Sequence, residues 1–160
     1  MKSNKNWRPL SVSVWHYLIE HRDNKSLFFH DVAREVGISL RHLNYPLTYV
    51  LEFCERQSLP PLTGIVLIKQ ETVRLQRECP SAHFRLKHQG QFYYPCDASF
   101  EALYQQKLAQ VRRFDWQAIH YAPSPLTVFE LKSQWLEAKK QRATETPHAH
   151  RLNQLARGRG

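Results

Sequence analysis

The chain has 160 residues, of which 42% are hydrophobic and 23% are charged, so its composition is that of a globular protein of about one domain. The 23 lysines and arginines exceed the 14 acidic residues and give a formal net charge of +9. Because the sequence has no long apolar run, no secretory signal at its start and an odd number of cysteines, we expect a cytoplasmic protein with no membrane partner.

The positive charge predicts a polyanionic partner, and nucleic acid is the first candidate. Residues 132–160 contain seven basic and two acidic side chains, a net charge of +5, which leaves +4 for the first 131 residues. From Thr144 onward the sequence has few large apolar residues that would offset the entropy cost of ordering. We therefore expect a flexible basic tail over residues 144–160, after a single domain over residues 1–143.

Apolar residues repeat at helical and then at extended spacing along the chain. This predicts helices over about 11–22, 31–36 and 46–57, a fourth that is capped by Asp97 and contains Phe100 to Val111, and a fifth that begins at Ser124-Pro125. The β-branched run Gly64–Ile68 predicts a strand, and residues 84–86 and 92–94, on either side of Gln89-Gly90, predict a hairpin. The fold class expected from these elements is α+β.

Residues 28–45, FFHDVAREVGISLRHLNY, have the pattern of a helix-turn-helix. Ala33 is small where two helices would cross, Gly37 allows a left-handed turn residue, and Ser39 can cap the second helix. The strand that ends at Lys69 stands where a winged-helix fold has its wing. We therefore predict a winged-helix-like module over residues 27–70. A corner between two packed helices with no nucleic-acid contact would have the same pattern, and Pro46 would keep the second helix short.

Residues 27–68 resemble the winged-helix portion of the alkyltransferase and alkyltransferase-like DNA-repair proteins. Asp31-Val32-Ala33 matches that family's helix start, Arg41 lies near its DNA-intruding arginine, and residues 61–66 stand where its reactive strand would be. Leu62 replaces the acceptor cysteine, so the resemblance implies DNA binding without alkyl transfer. The Pro-Pro-Leu-Thr run and Phe114-Asp115-Trp116 also resemble small uncharacterised proteins of bacteria and phages, which suggests an origin in a bacterium or a mobile element.

These observations predict a non-enzymatic accessory protein that binds nucleic acid, with duplex DNA as the expected partner, and that uses no cofactor or metal. The predicted contacts fall in the corner, at the strand end and in the basic C-terminal region. They are Ser39, Arg41, His42, Asn44, Lys69, Lys132, Lys139, Lys140, Arg142, Arg151, Arg157 and Arg159.

Two other functions stay open on the sequence. A protein-interaction subunit of a nucleoprotein complex would use the aromatic residues between positions 84 and 121. A small nuclease would use His83, His88 or the histidines near the end of the chain; Arg77 with His83 and Arg142 with His148 both fit the loose spacing of HEPN ribonucleases.

Four residues raise the question of zinc. Cys79, His83, His88 and Cys96 are all possible zinc ligands, but only the first two have the spacing of a ligand pair, so we expect no metal site.

Overall fold

The computed structural model describes residues 6–24, 27–71, 76–81 and 83–141. It is a mixed α+β structure with five α-helices and two antiparallel hairpins among these residues. The helices are α1 (Arg8–Glu20), α2 (Phe29–Val36), α3 (Asn44–Arg56), α4 (Phe100–Arg113) and α5 (128–141); the strands are β1 (Leu67–Glu71), β2 (Gln76–Pro80), β3 (Leu86–His88) and β4 (Gln91–Tyr93). No helix in the described part of the chain is long and apolar enough to cross a membrane.

The chain divides into two compact units, Met1–Pro125 and Leu126–Gly160. The predicted boundary at residue 143 lies inside the second unit. The predicted tail, residues 144–160, is outside the described residues.

The core of the first unit forms around Trp15 of α1. The Trp15 ring is stacked on Tyr121 at 4.7 Å between ring centres, and its edges meet Phe53 and Trp116 at 5.4 and 5.5 Å. Helix α3 crosses this cluster and is buried over most of its surface, with eight of its thirteen residues inaccessible to solvent. Aromatic side chains bury large apolar areas, so this cluster fixes α1 and α3 against the segment that follows α4.

The predicted strand Gly64–Ile68 is wrong in its first half, because Leu62–Ile65 is a short 3₁₀ helix and pairing begins only at Leu67. A Cβ atom added at Gly64 would lie 3.0 Å from the Phe84 ring. The Gly64 carbonyl accepts a hydrogen bond of 2.6 Å from the Tyr104 hydroxyl. The backbone here is held by packing against α4, and burial has overridden the strand preference of the β-branched residues.

The other predicted helix starts also differ from those observed. Asp97 does not cap α4: its carboxylate accepts the Tyr94 N–H at 2.8 Å and so closes the preceding turn. Helix α5 begins three residues after Pro125, and Thr127 caps it. The Thr127 N–H donates to Glu130 at 2.9 Å, and the Glu130 N–H donates to the Thr127 hydroxyl at 3.1 Å, which is a reciprocal capping box.

The hairpin predicted around Gln89-Gly90 is confirmed, but its strands are residues 86–88 and 91–93 and not the predicted 84–86 and 92–94. Strands β3 and β4 pair in antiparallel register from Leu86 opposite Tyr93 to His88 opposite Gln91. Gln89 and Gly90 have φ angles of 52° and 77°, as a two-residue turn with the strand twist requires. The turn places Lys87 and His88 directly before its tip.

Candidate nucleic-acid interface

The end of α2 has the left-handed turn residue expected from the sequence. Gly37 ends α2 with φ +81°, and the Ile38 N–H reaches back to the Ala33 carbonyl at 2.9 Å. The Gly37 N–H also contacts the Ala33 and Arg34 carbonyls. This is a Schellman motif, which uses the left-handed glycine to satisfy the last carbonyls of the helix.

Ser39 does not cap the next α-helix as predicted. It precedes a single 3₁₀ turn, Leu40–His42, and its hydroxyl is 2.8 Å from Nδ1 of His42. Helix α3 begins only at Asn44 and runs through Pro46, which lies in its first turn, where the missing N–H is tolerated. The second helix therefore extends to Arg56 despite the proline.

Among the predicted corner contacts, Arg41 carries a permanent positive charge. The Arg41 side chain is exposed on the 3₁₀ turn, whereas His42 and Asn44 are half-buried. The His42 ring lies 5.3 Å from Trp7 and 5.8 Å from Tyr45, so it is part of an aromatic cluster. Residues 46–51 of α3 are buried, so near this corner the accessible side chains are those that precede α3 and those at its start.

Lys69 lies on β1, the first strand of the β1–β2 hairpin. Its side chain is exposed, and its amino group is 5.1 Å from the centre of the Phe28 ring, within the range of a cation–π contact. Phe28 in turn forms a parallel β-bridge with Leu67. The Phe28–Leu67 bridge joins the start of α2 to the β1–β2 hairpin, and the contact with the Phe28 ring holds the Lys69 side chain.

The predicted contacts in the C-terminal unit lie on α5 or beyond it. Lys139 and Lys140 are exposed on α5. Lys132 is half-buried, and its partial burial lowers the pKa of its amino group. Arg142, Arg151, Arg157 and Arg159 are outside the described residues, as is His148.

The possible zinc ligands do not form a cluster in the described part of the chain. In the described ranges, no group of three or more His, Cys, Asp or Glu side chains is placed to hold a metal ion, and Cys79, His83, His88 and Cys96 do not converge. Cys54 is the buried cysteine, and burial raises the pKa of its thiol to about 12, so it is a neutral side chain near neutral pH.

The aromatic residues proposed as a protein-contact surface lie mostly in the core. Phe84, Tyr94, Phe100, Tyr104 and Trp116 are all buried. Phe84 packs edge-on against Phe100 and Tyr104. A protein partner would therefore not find these rings on the surface.

A second basic surface was not predicted from the sequence. Two adjoining hollows of about 270 and 370 Å³ share Ser58, Leu59 and Lys107 as lining residues. We call them together the α4 groove: the hairpin residues 85–90 line the first hollow, Gln110, Arg113 and Phe114 line the second, and Lys107 of α4 and the loop after α3 line both. Lys87 and His88 precede the hairpin turn while Lys107 and Arg113 are on α4, so no local motif in the sequence unites them.

Comparison of this chain with protein-family models, with curated proteins and with solved structures finds no match. The resemblance of residues 27–68 to the alkyltransferase-like proteins therefore stays a prediction.

Proposed function

We propose that this chain is a non-enzymatic protein that binds duplex DNA through a winged-helix-like module over residues 27–70. The observation that carries the proposal is the exposed Arg41 on the turn that leads into α3, beside a helix end fixed by the Gly37 Schellman motif. In helix-turn-helix proteins, the N-terminal residues of the second helix are the ones that contact base edges. Burial of residues 46–51 of α3 is compatible with that mode of contact.

The order of the elements also supports the proposal. Helix α1 is followed by the bridge residue Phe28, by α2 and α3, and then by the β1–β2 hairpin. A winged helix has its helices and wing in the same order, which supports assigning the wing to the β1–β2 hairpin, where Lys69 is exposed. A lysine there would contact phosphate and position the module without reading sequence.

The test is the affinity of Arg41→Ala for duplex DNA, measured by fluorescence anisotropy. We expect a loss of about 1–3 kcal/mol, or roughly 5- to 150-fold, with an unchanged melting curve. Arg56→Ala is the matched control, because it removes the same charge from the far end of α3, where Arg56 is paired with Glu52. Equal effects of the two substitutions, or no effect of either, would refute a contact at the corner.

The basic residues of the C-terminal region extend the same proposal. A chain that ends at residue 143 lacks Arg151, Arg157 and Arg159, and each phosphate contact contributes about 0.9 to the slope of log affinity against log salt on duplex DNA. We expect the slope to fall by up to about 3 and the affinity to fall for all sequences alike. An unchanged slope would remove residues 144–160 from the interface.

One observation favours the alternative, a protein-interaction subunit. Phe129 and Leu136 are 60% and 59% exposed, and because they are seven residues apart they lie on the same face of α5. An apolar contact there would persist in high salt, whereas phosphate contacts would weaken. A partner protein that is retained in high salt, and is lost when Phe129 and Leu136 are both changed to Ser, would support this alternative.

A further inference from the structure

The α4 groove is a basic surface whose acidic component is neutralised. Glu55 is the one acidic side chain among the residues that line it. Both Glu55 oxygens accept hydrogen bonds from Arg85, at 2.9 and 2.8 Å, in a bidentate pair. The charges of Glu55 and Arg85 therefore offset each other, and the groove keeps the positive charges of Lys87, Lys107 and Arg113.

These remaining basic residues lie on both sides of the groove. Lys87 is exposed on β3, and His88 follows it at the end of that strand. Lys107 and Arg113 lie on α4 six residues apart, or about 9 Å along the helix. Lys107 borders both hollows, so it stands at the place where they join.

The size and the surroundings of the groove limit what it can hold. Hollows of about 270 and 370 Å³ are at the lower end of small-ligand pockets, which suits one nucleotide unit in each. Phe114, half-buried, lines the second hollow and offers an aromatic surface beside Arg113. A basic groove with an aromatic side chain is the arrangement with which proteins bind single-stranded nucleic acid.

We propose that the α4 groove binds the phosphate backbone of a single nucleic-acid strand. Lys87 and Lys107 contact successive phosphates from opposite sides, and the strand runs along the side of α4 towards Arg113. This site shares no residue with the Arg41 and Lys69 surface, so the two proposals succeed or fail separately.

The test compares two double variants that each remove two positive charges. Lys87→Gln with Lys107→Gln changes the groove, and Arg41→Gln with Lys69→Gln changes the module. Their affinity for a fluorescein-labelled single strand of about 12 nucleotides, within the ~4–16 nucleotides that such sites cover, is measured by anisotropy over a range of salt. Thermal melting checks that each variant folds, and Lys87→Gln alone, at an exposed position, replaces the groove variant if that variant is unstable.

The expected size of the effect comes from the release of counterions. Each phosphate contact contributes about 0.7 to the salt slope on a single strand, so the groove variant should lose about 1.4. If the groove variant and the wild type bind equally at 1 M salt, the groove variant should bind roughly 25-fold more weakly than the wild type at about 0.1 M salt. We expect the module variant to bind the single strand within about threefold of the wild type, since its charges lie outside the groove.

Three results would overturn the proposal. The groove variant could bind the single strand as the wild type does, or the two double variants could lose equal affinity, which would mean that only net charge matters. Inorganic phosphate or a mononucleotide could also displace the strand as well as an unlabelled strand does at equal phosphate concentration, which would make the groove a site for small anions.

Discussion

The buried ion pair between Arg85 and Glu55 gives the sharpest test of how the β3–β4 hairpin is attached to α3. Their side chains are 6% and 11% exposed, and they link the residue before β3 to α3 across 30 residues of sequence. In Glu55→Gln the side chain keeps its shape, but the buried Arg85 loses the carboxylate charge with which it forms the bidentate pair. Breaking one side of a buried pair costs about 3–5 kcal/mol.

The position of Phe92 moves the expected loss of folding stability in Glu55→Gln to the lower end of that range. The Arg85 guanidinium carbon is 3.8 Å from the centre of the Phe92 ring, and the cation–π attraction remains in the variant. We therefore expect a loss of about 3 kcal/mol, a large part of the ~5–15 kcal/mol that stabilises a typical domain. With a urea m-value of ~2 kcal/mol per molar, the unfolding midpoint falls by about 1.5 M.

Glu52→Gln is the matched control in the same helix. Glu52 is paired with Arg56 one turn later, and the Arg56 side chain is 41% exposed. An exposed pair of this kind contributes about 0.3–0.5 kcal/mol, so the midpoint should move by only ~0.2 M. Urea unfolding followed by circular dichroism measures both variants.

A third variant tests the physical cause. Arg85→Met with Glu55→Leu replaces the pair by apolar side chains and should recover more than half of the stability that Glu55→Gln loses. If Glu55→Gln costs no more than Glu52→Gln, or if the double variant is no better than the single one, an uncompensated buried charge is not the cause.

The remaining predictions concern helix ends. Gly37→Ala should destabilise the protein by about 1 kcal/mol in urea unfolding, because φ is +81° there although no atom lies within 4 Å of the added Cβ. Ser58 has the same role after α3 with φ +55°, so Ser58→Gly should stabilise by about 0.5–1 kcal/mol, as relief of strain exceeds the entropy cost of glycine. The hydrogen bonds from Thr127 lower the pKa of the Glu130 carboxyl. The ionised Glu130 carboxyl therefore stabilises the start of α5 fully above the ordinary pKa of a glutamate. This stabilisation is lost as the pH falls through the lowered pKa of Glu130 in the folded protein. The NMR chemical shift of the Thr127 amide should change over the same pH range.

Each of these predictions has an outcome that contradicts it. A neutral Gly37→Ala would mean that the α2–α3 corner relaxes without cost, and a destabilising Ser58→Gly would mean that the serine hydroxyl outweighs the backbone strain. For the cap of α5, Glu130→Gln keeps a hydrogen-bond acceptor and does not titrate. If the Thr127 amide moves with acid in that variant as it does in the wild type, the carboxylate of Glu130 is not the group that titrates.

Local sequence patterns predicted the elements whose cause is local. The end of α2 at Gly37 and the turn at Gln89-Gly90 depend on residues that adopt positive φ, and both are visible in the sequence. The apolar stripe of α3 follows from helical spacing, and Leu47, Val50, Leu51 and Cys54 are all buried.

Elements that depend on distant contacts were not predicted. The 3₁₀ helix at Leu62–Ile65 exists because the Tyr104 hydroxyl and the Phe84 ring hold Gly64, and both come from later in the chain. The start of α5 was misplaced for another reason: Ser124-Pro125 and Thr127 with Glu130 are both plausible helix starts, and the second forms the reciprocal hydrogen bonds.

The same distinction applies to the candidate sites. Net charge predicted a polyanionic partner, and the first unit, residues 1–125, contains sixteen basic and eleven acidic side chains, a net charge of +5. Where phosphate binds in this unit depends on how these charges are arranged as well as on their sum. Acids such as Glu55 are neutralised by an adjacent arginine, while Lys87 and Lys107 face one groove from elements about 20 residues apart. Such a site is formed by tertiary structure, and for this reason the two double variants of equal charge distinguish it from a general effect of charge.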